Sequence, residues 1–312
     1  MNTRKDIQPV GDTPRRAAAA AAGPDGITDR EQREIDQANS TGRTPVVFIH
    51  GLWLLPSSWD NWTRLFEENG YAALTPSWPD DPETVAEARA DPDVLANKTL
   101  KQVADHTADV IGRLRQKPAV IGHSTGGLLT FMIADRGLSA VSVAIDAAPF
   151  RGVLPLPLAA LRSASPVLRN PLNRRRAITL TFDQFRYGWT NALDDDEARR
   201  LYDTYHVAAP GVALMQTADA NINPFTEAKV DTRNPERGPL LIIEGAKDHT
   251  VPPAIANAAY KRQKHNASVT EIVTIPNRGH ALTIDSGWRE VAQTALDFVK
   301  RFVGSQPRGA GS

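Results

Sequence analysis

The sequence predicts an α/β fold in which helices cover both faces of a mostly parallel sheet of about six strands. Short, β-branched apolar runs recur along the chain without alternating polar residues, which is typical of strands buried on both faces. Segments with apolar residues at helical spacing lie between these runs, and this alternation indicates βαβ units and a doubly wound sheet. The predicted strands are 46–49, 72–74, 119–121, 141–145, 240–243 and 269–275.

Four of the intervening segments predict helices of the core. Ser57 or Ser58 can cap a helix in which Trp59, Trp62 and Phe66 recur on one face. The other three predicted helices cover residues 100–114, 128–134 and 291–302.

The composition excludes several classes of protein. The 312 residues include 36 basic and 36 acidic side chains and no cysteine. A neutral chain has no overall electrostatic signature for nucleic acid or for an anionic membrane. The lack of cysteine excludes a disulfide scaffold, a thiolate nucleophile and iron–sulfur or zinc–cysteine sites. No apolar stretch approaches the roughly eighteen residues that suggest a membrane span, so we expect none.

Composition also suggests the domain organisation. Residues 1–44 hold too little apolar surface to offset chain entropy, so we expect a disordered tail with at most one short helix at 28–38. Arg15 and Arg16 precede six alanines, which leaves export by a twin-arginine signal as an alternative to the expected cytoplasmic location. The predicted parts are a tail (1–44), an α/β core (45–150 and 236–303), an inserted helical lid (151–235) and a disordered C-terminus (304–312).

The insertion at 151–235 interrupts the strand–helix rhythm with prolines and short polar segments. We interpret its Arg174–Arg176 run as a solvated face or as a partner for carboxylates. We expect one or two of its aromatic residues to line an apolar pocket together with residues near 52, while the alternative is that all of them form the lid's own core. The predicted pocket residues are Trp53, Leu54, Phe182, Phe185, Tyr187 and Trp189.

The motif with the clearest chemistry is the Gly122–Gly126 segment, Gly-His-Ser-Thr-Gly, which fits G-x-S-x-G. It follows a predicted strand and precedes a predicted helix, as a nucleophilic Ser124 on a sharp strand-to-helix turn requires. Glycines at both ends of the motif give such a turn room, since a Cβ would clash there. His50-Gly51 ends the first core strand, where the backbone N–H of Leu52 could join that of Thr125 to bind an oxyanion.

Two further residues complete a triad of side chains. Asp248 follows the 240–243 strand and His280 follows the last strand, so the chain order is Ser, Asp, His. Asp146, at the end of the strand after the Ser124 helix, is the rival acid, and we favour Asp248. We predict that His123 packs beside the nucleophile. No His, Asp or Glu cluster has metal-ligand spacing, so we expect no metal and no cofactor.

With these motifs, residues 45–303 resemble the α/β-hydrolase fold superfamily, in particular serine esterases and lipases with a cap domain. The resemblance implies that Ser124 is the nucleophile, that His280 takes its proton and that Asp248 orients the imidazole. The cap of the family corresponds to the insertion at 151–235. The antiparallel leading strands of many members are missing, which favours a minimal sheet of six strands.

A serine nucleophile with these partners implies acyl transfer to water. We expect hydrolysis of a carboxylic ester of a small to medium apolar substrate through an acyl-enzyme, with thioester, lactone or amide as related options. A cofactor-free haloperoxidase or perhydrolase and a carbon–carbon hydrolase are alternative enzymes that use the same triad. A non-catalytic ligand-binding receptor is the alternative if the protein is not an enzyme. The expected partner is a small-molecule ester, not a nucleic acid. The natural substrate and the oligomeric state stay open.

Overall fold

The computed structural model describes residues 26–304, and its centre is a parallel sheet of six strands. The strands are β1 (Pro45–Ile49), β2 (Ala72–Leu74), β3 (Ala119–His123), β4 (Val141–Ile145), β5 (Ala177–Ile178), β6 (Ala209–Pro210), β7 (Leu240–Gly245) and β8 (Thr270–Ile275). The central sheet has the order β2-β1-β3-β4-β7-β8, and β5 pairs with β6 in a separate antiparallel ladder. The predicted α/β fold with a six-stranded parallel sheet is confirmed.

The helices lie on both faces of this sheet. They are α1 (Asp29–Thr41), α2 (Asp60–Glu68), α3 (Val85–Ala90), α4 (Leu100–Gly112), α5 (Thr125–Asp135), α6 (Leu158–Leu168), α7 (Phe182–Gly188), α8 (Asp195–Tyr205), α9 (Gly211–Ala218), α10 (Pro253–Gln263) and α11 (Trp288–Phe302). Short 3₁₀ helices cover Pro56–Trp59, Pro92–Leu95 and Pro171–Arg175. Successive side chains of a strand point to opposite faces, so in β1 Val47 and Ile49 pack toward α4, α5 and α10, whereas Val46 and Phe48 pack toward α2 and α11.

The order of the strands indicates where in the sheet the candidate site lies. The chain runs outward from β1 to the edge strand β2 and then returns to β3, so the direction of winding reverses beside β1. In register, Ile49 lies opposite Gly122, and His123 lies opposite Ile145, so these strands end at a common edge. Ligands of open α/β sheets bind at the carboxyl edge beside such a reversal.

The segment between β4 and β7 contains α6 to α9 and the β5–β6 pair. Its content of short helices agrees with the helical insertion expected at 151–235, and its role as a lid stays a prediction. Within residues 26–304, no helix is long and apolar enough to cross a lipid bilayer.

The helix α1 contradicts the expectation of an unpacked tail for residues 27–44. Thr28 and Glu31 form a capping box at its start, and Ile35 and Ala38 join the core. The carboxylate of Glu31 also accepts hydrogen bonds from His106 Nε2 and from the backbone N–H of Ser77. The segment is polar on average, so its narrow apolar stripe was not recognised. The hydrogen-bond partners of its buried carboxylate lie in distant parts of the chain, so they could not be recognised either. Residues 1–25 and 305–312, where disorder and a twin-arginine signal were considered, lie outside the described residues.

Candidate active site

Ser124 stands on the tight turn between β3 and α5. Its backbone has φ 57° and ψ −120°, an unusual conformation for a residue with a side chain. A Cβ on Gly122 would lie 2.1 Å from the carbonyl oxygen of Gly126, and a Cβ on Gly126 would lie 2.0 Å from that of Ile49. Both contacts are impossible, so the turn requires glycine on either side of Ser124, as the motif predicted.

The structure brings Ser124, His280 and Asp248 into one chain of hydrogen bonds. The Ser124 hydroxyl lies 2.9 Å from His280 Nε2, and His280 Nδ1 lies 2.6 Å from Asp248 Oδ2. The other carboxylate oxygen of Asp248 accepts the backbone N–H groups of Thr250 and Val251 at 2.6 and 2.9 Å. Asp248 is therefore fixed by its own loop, and its free oxygen is directed at the imidazole.

Two neighbouring side chains contact His280. His123 Nε2 donates to the backbone carbonyl of His280 at 2.9 Å. Burial, together with the nearby His280, holds the pKa of His123 well below its usual range, so this side chain is neutral. The Trp189 ring packs edge-on against the His280 ring with 4.7 Å between centroids. His123 thus packs beside Ser124 as predicted, and it also anchors the loop that carries His280.

Asp146 is a second buried carboxyl group beside the same imidazole. Its Oδ1 accepts the backbone N–H of Gly245 at 2.8 Å, and its Oδ2 lies 4.0 Å from His280 Nδ1 without a hydrogen-bond partner. Burial, and after it the charge of Asp248, raises the pKa of Asp146 well above its usual range. The geometry therefore favours Asp248 over Asp146 as the partner of His280.

Thr125 and the loop before Leu52 both lie close to Ser124. Thr125 is the first residue of α5, so its N–H has no acceptor within the helix. A Cβ on Gly51 would lie 2.8 Å from the Cβ of Ser124, which shows how closely the loop before Leu52 approaches Ser124. Leu52 and Thr125 line the same cavity as Ser124. This placement suits the predicted oxyanion hole, which stays a prediction.

A cavity of about 210 Å³ opens beside Ser124. None of the described residues that line it is charged, and α6 and α9 contribute the largest share of its walls. Trp53 lines it as predicted, and its indole Nε1 donates to the carbonyl of Ile178 in β5. The lining residues that sequence reasoning missed include Leu156, Ala160, Leu161, Ala164, Leu168 and Leu214. The i, i+4, i+8 spacing of 160, 164 and 168 on α6 was the available signal.

The other five predicted pocket residues do not line this cavity. Leu54 is buried in the core, and Phe185 and Trp189 are stacked with 5.5 Å between ring centroids behind His280. Phe182 contacts Tyr202 and the guanidinium of Arg199, and Tyr187 contacts His249 and the guanidinium of Arg162. Tyr187 and Trp189 join the insertion to the core through His249 and His280, whereas Phe182 and Phe185 contact Tyr202 within the insertion. The smaller aliphatic side chains of α6 and α9 shape the cavity.

One group of side chains has ligand atoms close enough for a metal ion. His123, Asp146 and His280 each offer one such atom, all within 4.8 Å of one another. Both ring nitrogens of His280 already lie within hydrogen-bond distance of Asp248 and Ser124. An ion bound to His280 would have to break one of those contacts, so we interpret the cluster as a hydrogen-bonded network.

Comparison with solved structures finds the same fold in ester-cleaving and lipid-cleaving enzymes. A monoacylglycerol lipase of Paleococcus ferrophilus is 17% identical, with a TM-score of 0.56 over 83% of this chain and 95% of the lipase. A pyrethroid hydrolase from Sphingobium faniae JZ-2 is 18% identical, with a TM-score of 0.57 over 82% of this chain and 97% of that one. A polyneuridine aldehyde esterase is 15% identical, with a TM-score of 0.58 over 82% and 98%.

These identities are low, so the solved structures establish likeness of fold alone. A search of curated proteins found no match. The family model described as "Alpha/beta hydrolase family" matches residues 46–294, which covers most of the chain and includes Ser124, Asp248 and His280. The chain therefore belongs to the alpha/beta hydrolase family.

Proposed function

We propose that this protein is a serine hydrolase that cleaves carboxylic esters carrying a small to medium apolar group. The observation that supports this most directly is the unbroken chain of hydrogen bonds from Ser124 through His280 to Asp248, with the serine hydroxyl bordering an uncharged cavity. The similar structures include a lipase and an esterase, which favours ester cleavage among the reactions known for this triad.

The proposed reaction begins when the Ser124 oxygen attacks the acyl carbon while His280 Nε2 takes the hydroxyl proton. The imidazolium is stabilised by Asp248, and the negative oxygen of the tetrahedral intermediate accepts the N–H groups of Leu52 and Thr125. Collapse of this intermediate transfers the proton from His280 to the leaving alcohol and leaves an acyl-Ser124. Water, deprotonated by His280, then attacks the acyl group, and a second collapse releases the acid and restores the serine.

The identity of the nucleophile can be tested with nitrophenyl esters and a fluorophosphonate probe. Ser124→Ala should lose at least about 10³-fold in kcat and should not react with the probe, because the attacking oxygen is gone. Ser163 provides a matched control, since it lines the same cavity but bonds to the Thr250 hydroxyl rather than to a histidine. Ser163→Ala should still be labelled once, at Ser124. Labelling at any other serine would refute the assignment.

The substrate class can be tested with a series of esters of increasing acyl length. Each buried methylene gains about 0.8 kcal/mol, so kcat/KM should rise about fourfold per methylene until the cavity is full. Ala164→Phe fills part of the cavity and should move the cut-off to shorter chains. Phe182→Ala removes a lid aromatic that packs outside the cavity and should leave the cut-off in place. A rate independent of chain length in all three proteins would mean that this cavity does not receive the acyl group.

A further inference from the structure

The first half of the insertion is strongly basic. Residues 151–176 contain six arginines and no acidic residue, although the whole chain has equal numbers of both charges. All six side chains are exposed, and among the described residues only Arg174 has a carboxylate within ion-pair distance, Asp219 at 3.8 Å. The neutral balance of the full sequence thus conceals a local concentration of positive charge.

The same part of the molecule exposes most of its large apolar side chains. Of the eight large hydrophobic residues that are exposed in the described chain, seven lie in the insertion and only Val269 lies elsewhere. Leu154, Leu158 and Phe225 are 74%, 84% and 89% exposed. The seven residues are Leu154, Leu156, Leu158, Leu161, Leu172, Ile222 and Phe225. Single exposed leucines are ordinary, but a cluster of this kind marks an interaction site.

Contacts tie the segment that carries Ile222 and Phe225 to both ends of residues 151–176. The loop that carries Ile222 and Phe225 is tied to the start of the insertion, because Asn221 Oδ1 accepts the N–H of Gly152 at 2.6 Å and the carbonyl of Pro224 accepts Arg151 Nη1 at 3.0 Å. The ion pair between Arg174 and Asp219 ties the other end of that loop to the 3₁₀ helix Pro171–Arg175. We call the six arginines of 151–176 and the seven exposed apolar residues the lid face.

The lid face is continuous with the cavity of the candidate active site. Leu156 and Leu161 are exposed and also line the cavity that holds Ser124. Whatever docks on the lid face therefore lies at the entrance to the nucleophile. A partner that presents apolar chains at an anionic surface would match both its leucines and its arginines.

We propose that the lid face docks on an anionic lipid surface, with its leucines in the acyl region and its arginines against the headgroups. Exposed apolar side chains beside basic ones are the combination that binds at such interfaces. A second copy of this chain fits less well, because a two-fold symmetric contact through the lid face would bring two sets of six arginines together. The proposal goes beyond the proposed ester hydrolysis, since docking does not require Ser124.

Sedimentation with lipid vesicles tests the proposal on the full chain carrying Ser124→Ala, so that hydrolysis cannot alter the lipid. The protein should bind vesicles of equimolar phosphatidylserine and phosphatidylcholine, bind pure phosphatidylcholine at least about tenfold more weakly, and dissociate as salt is added. Two double variants, Leu154→Ser/Leu158→Ser and Arg169→Gln/Arg175→Gln, should each weaken binding at least about tenfold. None of these four residues lines the cavity.

Arg33→Gln/Arg233→Gln is the matched control, because it removes the same charge from exposed sites outside the lid face. It should bind within about twofold of the parent, and all three double variants with Ser124 intact should hydrolyse a short water-soluble ester within about twofold of the wild type. Failure of the parent to bind the anionic vesicles would overturn the proposal. A loss of binding in the control equal to that in the two lid-face variants would also overturn it. So would a protein that forms a dimer through these leucines in solution and does not bind vesicles. Vesicle binding and dimerisation are measured without turnover, so the outcomes that would overturn the proposal are independent of the ester hydrolysis proposed above.

Discussion

Two buried carboxyl groups face one imidazole, and they differ in geometry and in protonation. Asp248 Oδ2 is 2.6 Å from His280 Nδ1, whereas Asp146 Oδ2 is 4.0 Å away. The raised pKa of Asp146, caused first by burial and then by Asp248, favours its neutral form, which an asparagine resembles in shape. Asp248 is therefore the group whose charge can stabilise the imidazolium.

We expect Asp248→Asn to lower kcat by about 10³- to 10⁴-fold, because an amide can neither orient the imidazole as the carboxylate does nor stabilise its charged form. Asp146→Asn should stay within about tenfold of the wild type, since it replaces a neutral acid by a neutral amide. Steady-state kinetics on one nitrophenyl ester would compare the two variants, with circular dichroism to check their folding. A larger loss at Asp146 would reverse the assignment of the acid.

Asp285, in the loop after His280, is a buried carboxyl group whose charge destabilises the fold. Its Oδ1 accepts the N–H of Gly287 at 2.8 Å, while its Oδ2 has no partner. Burial raises its pKa from 3.8 to about 6, even though Arg278 lies 3.6 Å away. Because the folded protein holds this proton more tightly than the unfolded chain, the free energy of unfolding should fall as the pH rises from about 4 to about 6.

Asp285→Asn should therefore be more stable than the wild type by about 2 kcal/mol at neutral pH, and the difference should vanish near pH 4. Urea denaturation at the two pH values would measure it. Asp93→Asn, at an exposed site, is the control and should change the stability little at either pH. An Asp285→Asn protein that is less stable at neutral pH would show that the pair with Arg278 outweighs the cost of burial.

At the scale of elements, α1 shows how a polar segment becomes part of a core. Its sequence has few apolar residues, but Ile35 is only 1% exposed and Ala38 packs beside it. Replacement of Ile35 by alanine should cost about 3 kcal/mol of unfolding free energy, because it leaves a cavity under the helix. Thermal and urea denaturation would measure the loss, and Gln37→Ala on the exposed side of the same helix is the control. Equal effects of the two substitutions would mean that α1 does not pack on the core in solution.

The insertion shows where prediction from sequence failed and why. The four aromatic residues between 182 and 189 were an obvious candidate for a pocket, but large rings are also the best means of joining a lid to a core. Trp189 packs against the His280 ring, and Phe185 stacks on Trp189. The small residues Ala160 and Ala164 gave no chemical signal, and only the approach of α6 to Ser124 makes them part of the cavity wall.

At the scale of the whole molecule, the sheet and the triad were predictable because each has a local signature. Buried parallel strands appear as uninterrupted apolar runs, and the serine turn needs glycines that Gly122 and Gly126 supply. The docking of α1 and the lid face each depend on contacts between segments distant in sequence. Average composition hid both, since the polar tail contained a packed helix and the neutral chain contained a basic surface.

The core and the insertion should also differ in local stability. In α5, residues 125–134 are all buried, whereas in α6 only Val167 is buried. Pro166 further weakens α6, because it has no N–H to donate to the carbonyl of Arg162, which instead accepts the Ser165 hydroxyl at 2.8 Å. Segments with few buried contacts open without global unfolding, while a fully buried helix opens only with the whole domain.

Amide hydrogen exchange followed by mass spectrometry should therefore show peptides from 158–168 exchanging at least about 100-fold faster than peptides from 125–135. Pro166→Ala restores a backbone N–H that can donate within the helix, so it should slow amide exchange in α6 and leave exchange in α5 unchanged. This variant separates the effect of the proline from the effect of exposure. Equal protection of the two helices would show that the insertion unfolds together with the core. Faster exchange confined to α6 would identify the wall of the cavity as the part that opens first, since α6 supplies both lining residues beside Ser124 and the exposed Leu161 at the entrance.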